Sequence, residues 1–321
     1  MNCFEKYPLV SIITPVYNGQ SFIEQCHQCI KSQHYPAIEW VLVNDGSDDN
    51  TLDLLIDMQM VATNIKVLDQ ENSGAAVARH NAANQASGEF IVYLDIDDTI
   101  SDDAISCAME KFTDEIDIVL FTKIIVGAEG VTSDLIFKDK SIQPGLTVFE
   151  ACIDGWQAHS FGVYRRSLFL SCYEYLDEFF LGEKTFKDEF LTRIIFSQAR
   201  FISFCKGIYY YELSDSSVSK KFNSQYFEIA KHAYSLENFI TQKKLNTKIE
   251  RLYARLFFDI LARYLKWKKK IKNDRDWLNT LSTLARHVTL GKDIKRCIQQ
   301  SKYASIVPRI SILLIFKCIK F

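Results

Sequence analysis

The chain carries at residues 89–98 the stretch EFIVYLDIDD, an apolar run that ends in a cluster of carboxylates. Five consecutive apolar or aromatic residues are typical of a strand that is buried on both faces of a sheet. Asp95, Asp97 and Asp98 follow at once, and carboxylate oxygens are the ligands that Mg²⁺ and Mn²⁺ prefer. The stretch therefore predicts a buried strand that leads into a divalent-metal site. The alternative is a solvated turn in which Asp98 or Thr99 caps the next helix.

Apolar runs of the same kind alternate with amphipathic stretches over the first third of the chain. The pattern predicts strands at 9–14, 39–43, 65–68 and 89–94, and helices at 22–32, 51–60 and 73–87. This alternation predicts βαβ units and a mostly parallel sheet, in which ligands bind beyond the carboxyl ends of the strands. The polar clusters 15–19, 44–49 and 95–98 fall at those ends.

The rest of the chain is less regular. We predict a strand at 116–126, an irregular excursion at 127–145, a helix at 188–197, short strands at 201–204 and 208–211, and mainly helices after residue 222.

Two polar loops precede helices in the predicted sheet. Asp45 stands at a strand end where it can accept a base N–H, and Gly46 permits a close approach of backbone to ligand. The alternative is a tight turn that caps the following helix. The second loop, at 71–74, leads into a helix of small residues that carries Arg79 and Asn81. The alternative for Arg79 is a solvent-facing position.

Together these segments resemble the inverting family 2 glycosyltransferases, which have the GT-A fold, a Rossmann-like α/β fold of nucleotide-diphospho-sugar transferases. The matching segments are SIITPVYN at 11–18, VNDGS at 43–47 with Thr51, NSG at 72–74 with Arg79 and Asn81, and LDIDD at 94–98. The resemblance implies that the nucleotide pocket is lined by Thr14, Pro15 and Tyr17. It also implies that Asp45 contacts the uracil and that Arg79 helps to hold the nucleotide. By the same resemblance, Asp95 meets the ribose or the metal, and Asp97 is the principal metal ligand.

A looser resemblance covers the second half of the family pattern. Trp156, YRRSL at 164–168 and KDEFL at 187–191 stand where the family has a Trp, a basic stretch and an acidic pair. The resemblance implies that Asp188 is the catalytic base. Glu183 and Glu189 are rival bases, and Lys187 departs from the usual Glu.

Other residues of the second half have weaker signals. The alternative for Asp188 is a first-turn acid that is favourable to the helix dipole. The run YYY at 209–211 resembles a segment near the acceptor, with an edge strand as its alternative. His80 and His159 are expected to serve packing or to lie at the surface, without a catalytic role.

Composition excludes several classes of protein. The 321 residues are 48% hydrophobic and 13% aromatic, which is enough for a buried core and excludes global disorder. The N-terminus lacks a basic segment followed by a long apolar run, so we expect no secretory signal. The 9 Cys are odd in number and scattered, which favours reduced thiols in the cytoplasm.

The net charge of −2 conceals a basic C-terminal segment. Residues 243–321 hold 20 Lys and Arg against 5 Asp and Glu. We predict a transferase domain at 1–215, with a nucleotide-sugar half at 1–110 and an acceptor half at 111–215, and a basic helical extension at 216–321. The final run 306–321 is apolar with lysines near its end, and we expect it at an anionic membrane surface. The alternative is docking on the core. No nucleic-acid recognition module accompanies these charges, so we expect no nucleic-acid partner.

The sequence thus predicts a Mn²⁺- or Mg²⁺-dependent enzyme on the inner face of the cytoplasmic membrane. We expect it to transfer a hexose from a UDP-sugar to a lipid-linked oligosaccharide acceptor in surface-polysaccharide (O-antigen or capsule) biosynthesis. Two alternatives remain open. One is a catalytically inactive nucleotide-sugar-binding module, which Lys187 supports. The other is a nucleotidyltransferase, which would need a basic Gly-rich loop that residues 14–19 do not supply.

Overall fold

The computed structural model describes residues 7–127, 130–135, 141–153, 155–181, 187–212 and 222–287, with only the backbone at 131–135. The described residues divide into two compact units. The first unit takes its residues from Met1–Cys152, Trp156–Glu178 and Lys187–Ser217, and the second takes them from Ile153–Gly155, Phe179–Phe186 and Val218–Phe321.

The first unit is built on a mixed sheet. Its strands in the described residues are β1 Val10–Val16, β2 Ile38–Asp45, β3 Ile65–Gln70, β4 Phe90–Tyr93, β5 Thr99–Ile100, β6 Ile116–Gly127, β7 Gly130–Leu135, β8 Gln143–Pro144, β9 Gly162–Arg165 and β10 Phe201–Glu212. The order is β3-β2-β1-β4-β9-β6-β10-β5, with β7 paired to β6 and β8 to β10. Strands β3, β2, β1 and β4 are mutually parallel, as are β6 and β10, while β9 lies antiparallel between β4 and β6.

Helices flank the sheet of the first unit. Within residues 7–212 they are α1 Ile23–Lys31, α2 Thr51–Val61, α3 Ala75–Gln85, α4 Ala104–Met109, α5 Gly145–Ala151, α6 Arg166–Ser171, α7 Tyr173–Phe179 and α8 Lys187–Gln198. Helix α3 packs against β1 and β2. Its buried residues are all alanines. Because alanine side chains are small, the helix axis lies close to the sheet, and this brings Arg79 near the strand ends.

The strand order places three polar loops together. Strand β1 has β2 on one side and β4 on the other. The chain therefore adds β2 and β3 on one side of β1 and then crosses to its other side to add β4. The carboxyl ends of parallel strands on either side of such a point form a crevice where ligands bind. The loops 15–19, 44–49 and 95–98 follow β1, β2 and β4 and therefore share this edge.

Two expectations from the sequence are wrong in detail. Within the stretch 127–145, which was expected to be irregular, the described residues 130–135 form β7, which pairs with β6, and residues 143–144 form β8, which pairs with β10. The strands predicted at 201–204 and 208–211 are one strand, β10, with a register shift between Phe204 and Ile208. Gly207 lies in this shift, where a Cβ atom would stand 2.6 Å from the Cα of Ala104. The close approach of α4 therefore explains why a glycine stands at position 207 within a continuous strand.

The second unit is helical. Its helices in the described residues are α9 Ile229–Gln242, α10 Glu250–Trp267 and α11 Arg275–His287, after a short 3₁₀ turn at Tyr226–Glu228. Helix α10 buries residues at helical spacing, among them Phe257, Leu261 and Tyr264. Between residues 7 and 287, the described helices include none that is long and apolar enough to cross a membrane. The run 306–321, predicted to bind a membrane, lies outside the described residues.

Candidate active site

The carboxylates after β4 divide into two roles. Asp98 is buried, with 2% of its surface exposed. Its Oδ2 accepts a hydrogen bond from the Tyr209 hydroxyl (2.6 Å) and its Oδ1 accepts one from the Glu212 N–H (2.9 Å). Burial and the charge of Asp95 raise the pKa of Asp98 to about 8. Asp98 therefore joins the loop to β10, and it does not cap a helix.

Asp95 and Asp97 remain partly accessible and close enough to repel each other. The Asp95 side chain is 29% exposed. Burial, and then the charge of Asp95, raise the pKa of Asp97. In the described part of the chain no group of three or more His, Cys, Asp or Glu side chains converges into a metal site. Two carboxylates are nevertheless a usual protein contribution to a Mg²⁺ site that substrate phosphates complete.

Arg79 joins the two motifs that the sequence separates by more than 90 residues. Its NH2 lies 2.5 Å from Oδ1 of Asp95, and its NH1 lies 2.9 Å from Oδ1 of Asp188. Burial alone would lower the pKa of Arg79, but the charges of Asp188 and Asp95 raise it well above its usual value. The guanidinium is therefore a permanent positive charge between the predicted metal ligand and the predicted base.

The candidate bases at the start of α8 have different partners. The Asp188 side chain is 50% exposed and contacts Arg79. The Glu189 Oε2 lies 3.4 Å from NH1 of Arg193, a fully buried residue whose Nε donates to the Cys152 carbonyl (2.8 Å). Glu183 lies outside the described residues. Asp188 is thus the candidate that the structure joins to the carboxylates after β4.

A cleft of about 380 Å³ connects these groups. Of the site residues predicted from the sequence, it is lined by Arg79, Asp95 and Asp188. Aromatic side chains form much of the rest of its wall, namely Tyr93, Trp156, Phe161, Phe169, Tyr173 and Tyr211. A concave, mostly apolar site with a few converging charges is typical of small-molecule binding.

Asp45 organises the loop that leads into α3. Its Oδ1 accepts hydrogen bonds from the Gln70 side chain (2.7 Å) and the Ser73 N–H (2.8 Å), and its Oδ2 accepts one from the Gly74 N–H (2.9 Å). Gly46 has a φ of +71°, and a Cβ there would lie 2.7 Å from the backbone nitrogen of Asn72. Any contact of Asp45 with uracil would be additional to this support of the loop, and it stays a prediction.

The end of β1 and the residue that follows it hold the three predicted pocket residues Thr14, Pro15 and Tyr17. Thr14 is fully buried, and its hydroxyl accepts a hydrogen bond from Trp40 Nε1 at 2.9 Å. Its side chain therefore faces the core, and the expectation that Thr14 lines the nucleotide pocket stays a prediction. Pro15 is half-buried and Tyr17 is 55% exposed. Both stand at the strand edge, outside the lining of the cleft described above.

Sequence reasoning missed Lys123, which lines the cleft from β6. Its signal was a lysine within an otherwise apolar run. His159, expected either to pack or to lie at the surface, is buried, and its Nδ1 accepts a hydrogen bond from the Phe161 N–H at 3.1 Å. Burial lowers the pKa of His159 to about 3, so the ring is neutral. His80 stacks on Tyr173 with ring centroids 4.1 Å apart.

Comparison with known sequences identifies one family. Residues 11–171 match the model of glycosyl transferase family 2. A putative glycosyltransferase EpsH of Bacillus subtilis is 29% identical over 250 residues, which cover 76% of this chain and 71% of that protein. The putative teichuronic acid biosynthesis glycosyltransferase TuaG of the same organism is 39% identical over 104 residues, 32% of this chain and 41% of its own length.

Solved structures share the fold over most of the chain. Staphylococcus aureus TarS (residues 1–349), in complex with UDP-GlcNAc, has a TM-score of 0.63 and 20% identity, covering 91% of this chain and 83% of that one. The mannosyltransferase PcManGT of Pyrobaculum calidifontis, in complex with GDP-Man and Mn²⁺, has a TM-score of 0.51 and 17% identity, covering 96% and 79%. At these identities the likeness shows the fold alone. The predicted GT-A fold class is confirmed.

Proposed function

Because the chain belongs to glycosyl transferase family 2, it is a glycosyltransferase, and we propose that it transfers a hexose from a UDP-sugar with inversion. The observation that carries the proposal is the contact of Arg79 with both Asp95 and Asp188. It unites the strand-end carboxylates with a candidate base in one cleft. The UDP-GlcNAc bound to TarS supports a uridine nucleotide as donor.

Asp97 and Asp95 fit a divalent cation. The raised pKa of Asp97 reflects burial beside a like charge, and a cation relieves both costs. The Mn²⁺ bound to PcManGT supports the same chemistry. When bound, Mn²⁺ or Mg²⁺ would neutralise negative charge on the departing diphosphate.

The residues of the chain have separate tasks in this reaction. Asp188 accepts the proton of the acceptor hydroxyl, because it is a half-exposed carboxylate on the cleft wall. Arg79 orients this carboxylate and supplies positive charge beside Asp95. Single displacement then inverts the anomeric configuration, so that an α-linked donor yields a β-linked product. The aromatic walls hold the sugars and exclude water.

A donor screen tests the proposal. Purified protein is incubated with a panel of UDP-, GDP- and dTDP-sugars, with Mn²⁺, Mg²⁺ or excess chelator, and nucleotide release is measured. We expect release from at least one UDP-sugar that depends on the cation. Release from none of the donors, in a protein that still binds UDP, would favour the inactive nucleotide-sugar-binding module. Full activity in excess chelator would contradict the metal dependence.

The acceptor and the location are further parts of the proposal. The name of TuaG, which assigns that protein to teichuronic acid biosynthesis, supports a role in building a bacterial surface polysaccharide, and we propose a lipid-linked saccharide as acceptor. A basic surface supports residence on the inner face of the cytoplasmic membrane. This surface is a lysine cluster at the C-terminal end of α10 and in the residues just after it. Its members are all exposed: Lys266, Lys268, Lys269, Lys270 and Lys272. The exposed Leu265 adjoins it. We also propose that residues 1–215 form the transferase domain and 216–321 the extension.

A further inference from the structure

Lys123 places its ammonium group in the cleft, over the faces of two aromatic rings. It lies on β6 opposite Tyr209 of β10. Its Nζ stands 4.0 Å from the ring centroid of Tyr211 and 4.7 Å from that of Phe161. Phe161 in turn stacks on Tyr209 with centroids 3.8 Å apart. Because aromatic faces attract cations, the rings of Tyr211 and Phe161 hold the Lys123 ammonium at a defined place in the cleft.

This ammonium group has no close counter-ion among the residues that the structure describes. The ion pairs of the described cleft residues join Arg79 to Asp95 and Asp188, and Glu189 to Arg193, and none includes Lys123. Burial lowers the pKa of Lys123, while the more distant charges of Asp98 and Asp95 oppose this shift. A partly buried charge without a counter-ion is unfavourable. The cleft therefore offers a position for an anionic group of a ligand.

The position of Lys123 indicates which part of the substrates it meets. Arg79, Asp95 and Asp188 line the same cleft, whereas Tyr17 and Asp45 of the predicted nucleotide pocket are not among its lining residues. Lys123 therefore faces the space where the transferred sugar and the acceptor react.

The charge of Lys123 also limits the kind of anion. Arg79 also places a positive charge in the described lining of the cleft, but it is already paired with two carboxylates, those of Asp95 and Asp188. One ammonium matches a monoanion, whereas a phosphate monoester is nearly a dianion and needs more donors. A carboxylate thus fits better than a phosphate.

We infer that one of the two sugars in the cleft is a uronic acid whose carboxylate binds Lys123. The inference rests on the proposed function and adds the substrate class to it. The carboxylate belongs either to the donor sugar or to the acceptor sugar, and in both cases it would form the same ion pair with the Lys123 ammonium. The faces of Phe161 and Tyr211 beside the ammonium give the apolar face of a sugar ring a surface to pack on.

Two matched pairs of probes separate these sources. UDP-glucuronate and UDP-glucose differ only at C6 of the sugar, as do 4-nitrophenyl β-glucuronide and 4-nitrophenyl β-glucoside. Affinities of the first pair are measured by calorimetry with Mn²⁺, and those of the second pair with Mn²⁺ and UDP present. We expect the wild type to bind the carboxylate member about tenfold more tightly in one pair, as for a charge-assisted hydrogen bond. The pair that shows the preference identifies the source.

Variants assign the preference to Lys123. Lys123→Gln should abolish it and Lys123→Arg should retain most of it, with UDP affinity and melting temperature near those of the wild type. Lys206→Gln is the matched control, because Lys206 is exposed on β10 outside the cleft lining. Its variant should keep the full preference.

Three results would overturn the inference alone, with UDP binding intact. They are equal affinities within both pairs, a preference that survives Lys123→Gln, and a tenfold loss of UDP affinity in Lys123→Gln, which would assign the lysine to the diphosphate. A wild-type protein that does not bind UDP would contradict the proposed function itself, and the inference with it.

Discussion

Arg79 carries one positive charge between the carboxylates of Asp95 and Asp188. It therefore leaves a net negative charge at the reacting end of the cleft, to which the nearby Asp97 adds. A divalent cation and an anionic donor can enter together because their charges largely cancel. The two contacts of Arg79 also link Asp95, the proposed donor-side carboxylate, to Asp188, the proposed base.

Asp188→Asn tests the base at this site. The amide keeps the size of the side chain and an oxygen for Arg79, but it cannot take a proton. We expect transfer to fall by about 100- to 10,000-fold, with near-normal UDP affinity. Steady-state kinetics and calorimetry measure the two effects. Glu189→Gln is the matched control and should retain most activity, because its carboxylate contacts Arg193. A dead Glu189→Gln beside an active Asp188→Asn would move the base by one residue.

Asp97→Asn tests the metal site, with Asp98→Asn as a contrast. Loss of a metal ligand should abolish transfer and remove the Mn²⁺ dependence of UDP binding, with little change in melting temperature. Asp98→Asn should lower the melting temperature instead, because Asp98 accepts hydrogen bonds from Tyr209 and the Glu212 backbone. Undiminished turnover in Asp97→Asn would exclude Asp97 as a metal ligand.

His159 predicts a loss of stability in acid. Its folded-state pKa of about 3 is far below the usual 6.5, so between these pH values the unfolded chain binds a proton that the native state does not. Stability from this group is therefore full above pH 6.5 and falls as pH decreases towards 3. At pH 5 the loss is about 2 kcal/mol, at 1.36 kcal/mol per pH unit.

The measurement is urea unfolding of the wild type and His159→Gln at pH 7.5 and pH 5. Glutamine can still accept from the Phe161 N–H but does not titrate. The wild type should lose more stability between the two pH values than the variant does. Equal losses would show that other groups cause the acid sensitivity.

At the scale of elements, the sequence predicts the parallel half of the sheet well. Strands β1 to β4 and helices α1 to α3 agree within a few residues, because each is a continuous apolar or periodic run bounded by turn residues. It could not predict that β9 lies antiparallel between β4 and β6, since four residues carry no signal of partner or direction. It also missed the β6–β7 hairpin, which depends on cross-strand pairing.

At the site, Asp95, Asp97 and Asp188 lie in recognisable motifs, so candidate roles could be assigned to them from the sequence, and these roles stay predictions. The contact of Arg79 with Asp188 depends on the packing of α3 and α8, and the place of Lys123 depends on the pairing of β6 with β10. The contact of Thr14 with Trp40 depends on the pairing of β1 with β2, which the motif alone does not reveal.

Gly46→Ala tests how the loop after β2 supports the site. A left-handed conformation costs a residue with a Cβ about 1–2 kcal/mol, and here the Cβ would also clash with Asn72. The clash displaces the loop that Asp45 holds, so we expect weaker UDP binding as well as lower stability. Gly130→Ala is the control, because Gly130 also has a positive φ but no atom within 4 Å of its Cβ position.

Gly130→Ala should lower the melting temperature and leave UDP affinity unchanged. Calorimetry and thermal unfolding of both variants make the comparison. Equal UDP affinities in the two variants would separate the loop from nucleotide binding.

At the scale of the molecule, the chain divides its charge as it divides its structure. The carboxylates of the candidate active site lie in the first unit, whereas the lysine cluster lies in the second. Buried aromatic residues hold the end of α10 that carries this cluster: Trp277 packs against Tyr264, whose hydroxyl donates to Asp274 at 2.8 Å. The cluster can therefore be altered without touching the cleft.

The lysine cluster predicts salt-sensitive binding to anionic membranes. Each lysine near such a surface contributes about 1 kcal/mol, and screening weakens this as ionic strength rises. A variant with all five lysines changed to Gln should lose most co-sedimentation with vesicles that contain phosphatidylglycerol, while UDP-sugar hydrolysis stays near the wild-type rate. Neutral phosphatidylcholine vesicles and high salt are the controls.

Truncation after Ser305 separates the apolar part of this attachment from the electrostatic part. If the run 306–321 enters the membrane interface, the truncated protein should bind vesicles more weakly at every salt concentration, because burial of apolar surface contributes about 25 cal/mol per Å² and is not screened. It should also use lipid-linked acceptors poorly while it still hydrolyses the donor. If the run docks on the protein instead, truncation should lower the melting temperature and leave the binding of anionic vesicles unchanged. A full-length chain that also ignores anionic vesicles at low salt would end the membrane proposal and leave the transferase intact, because the two depend on different residues.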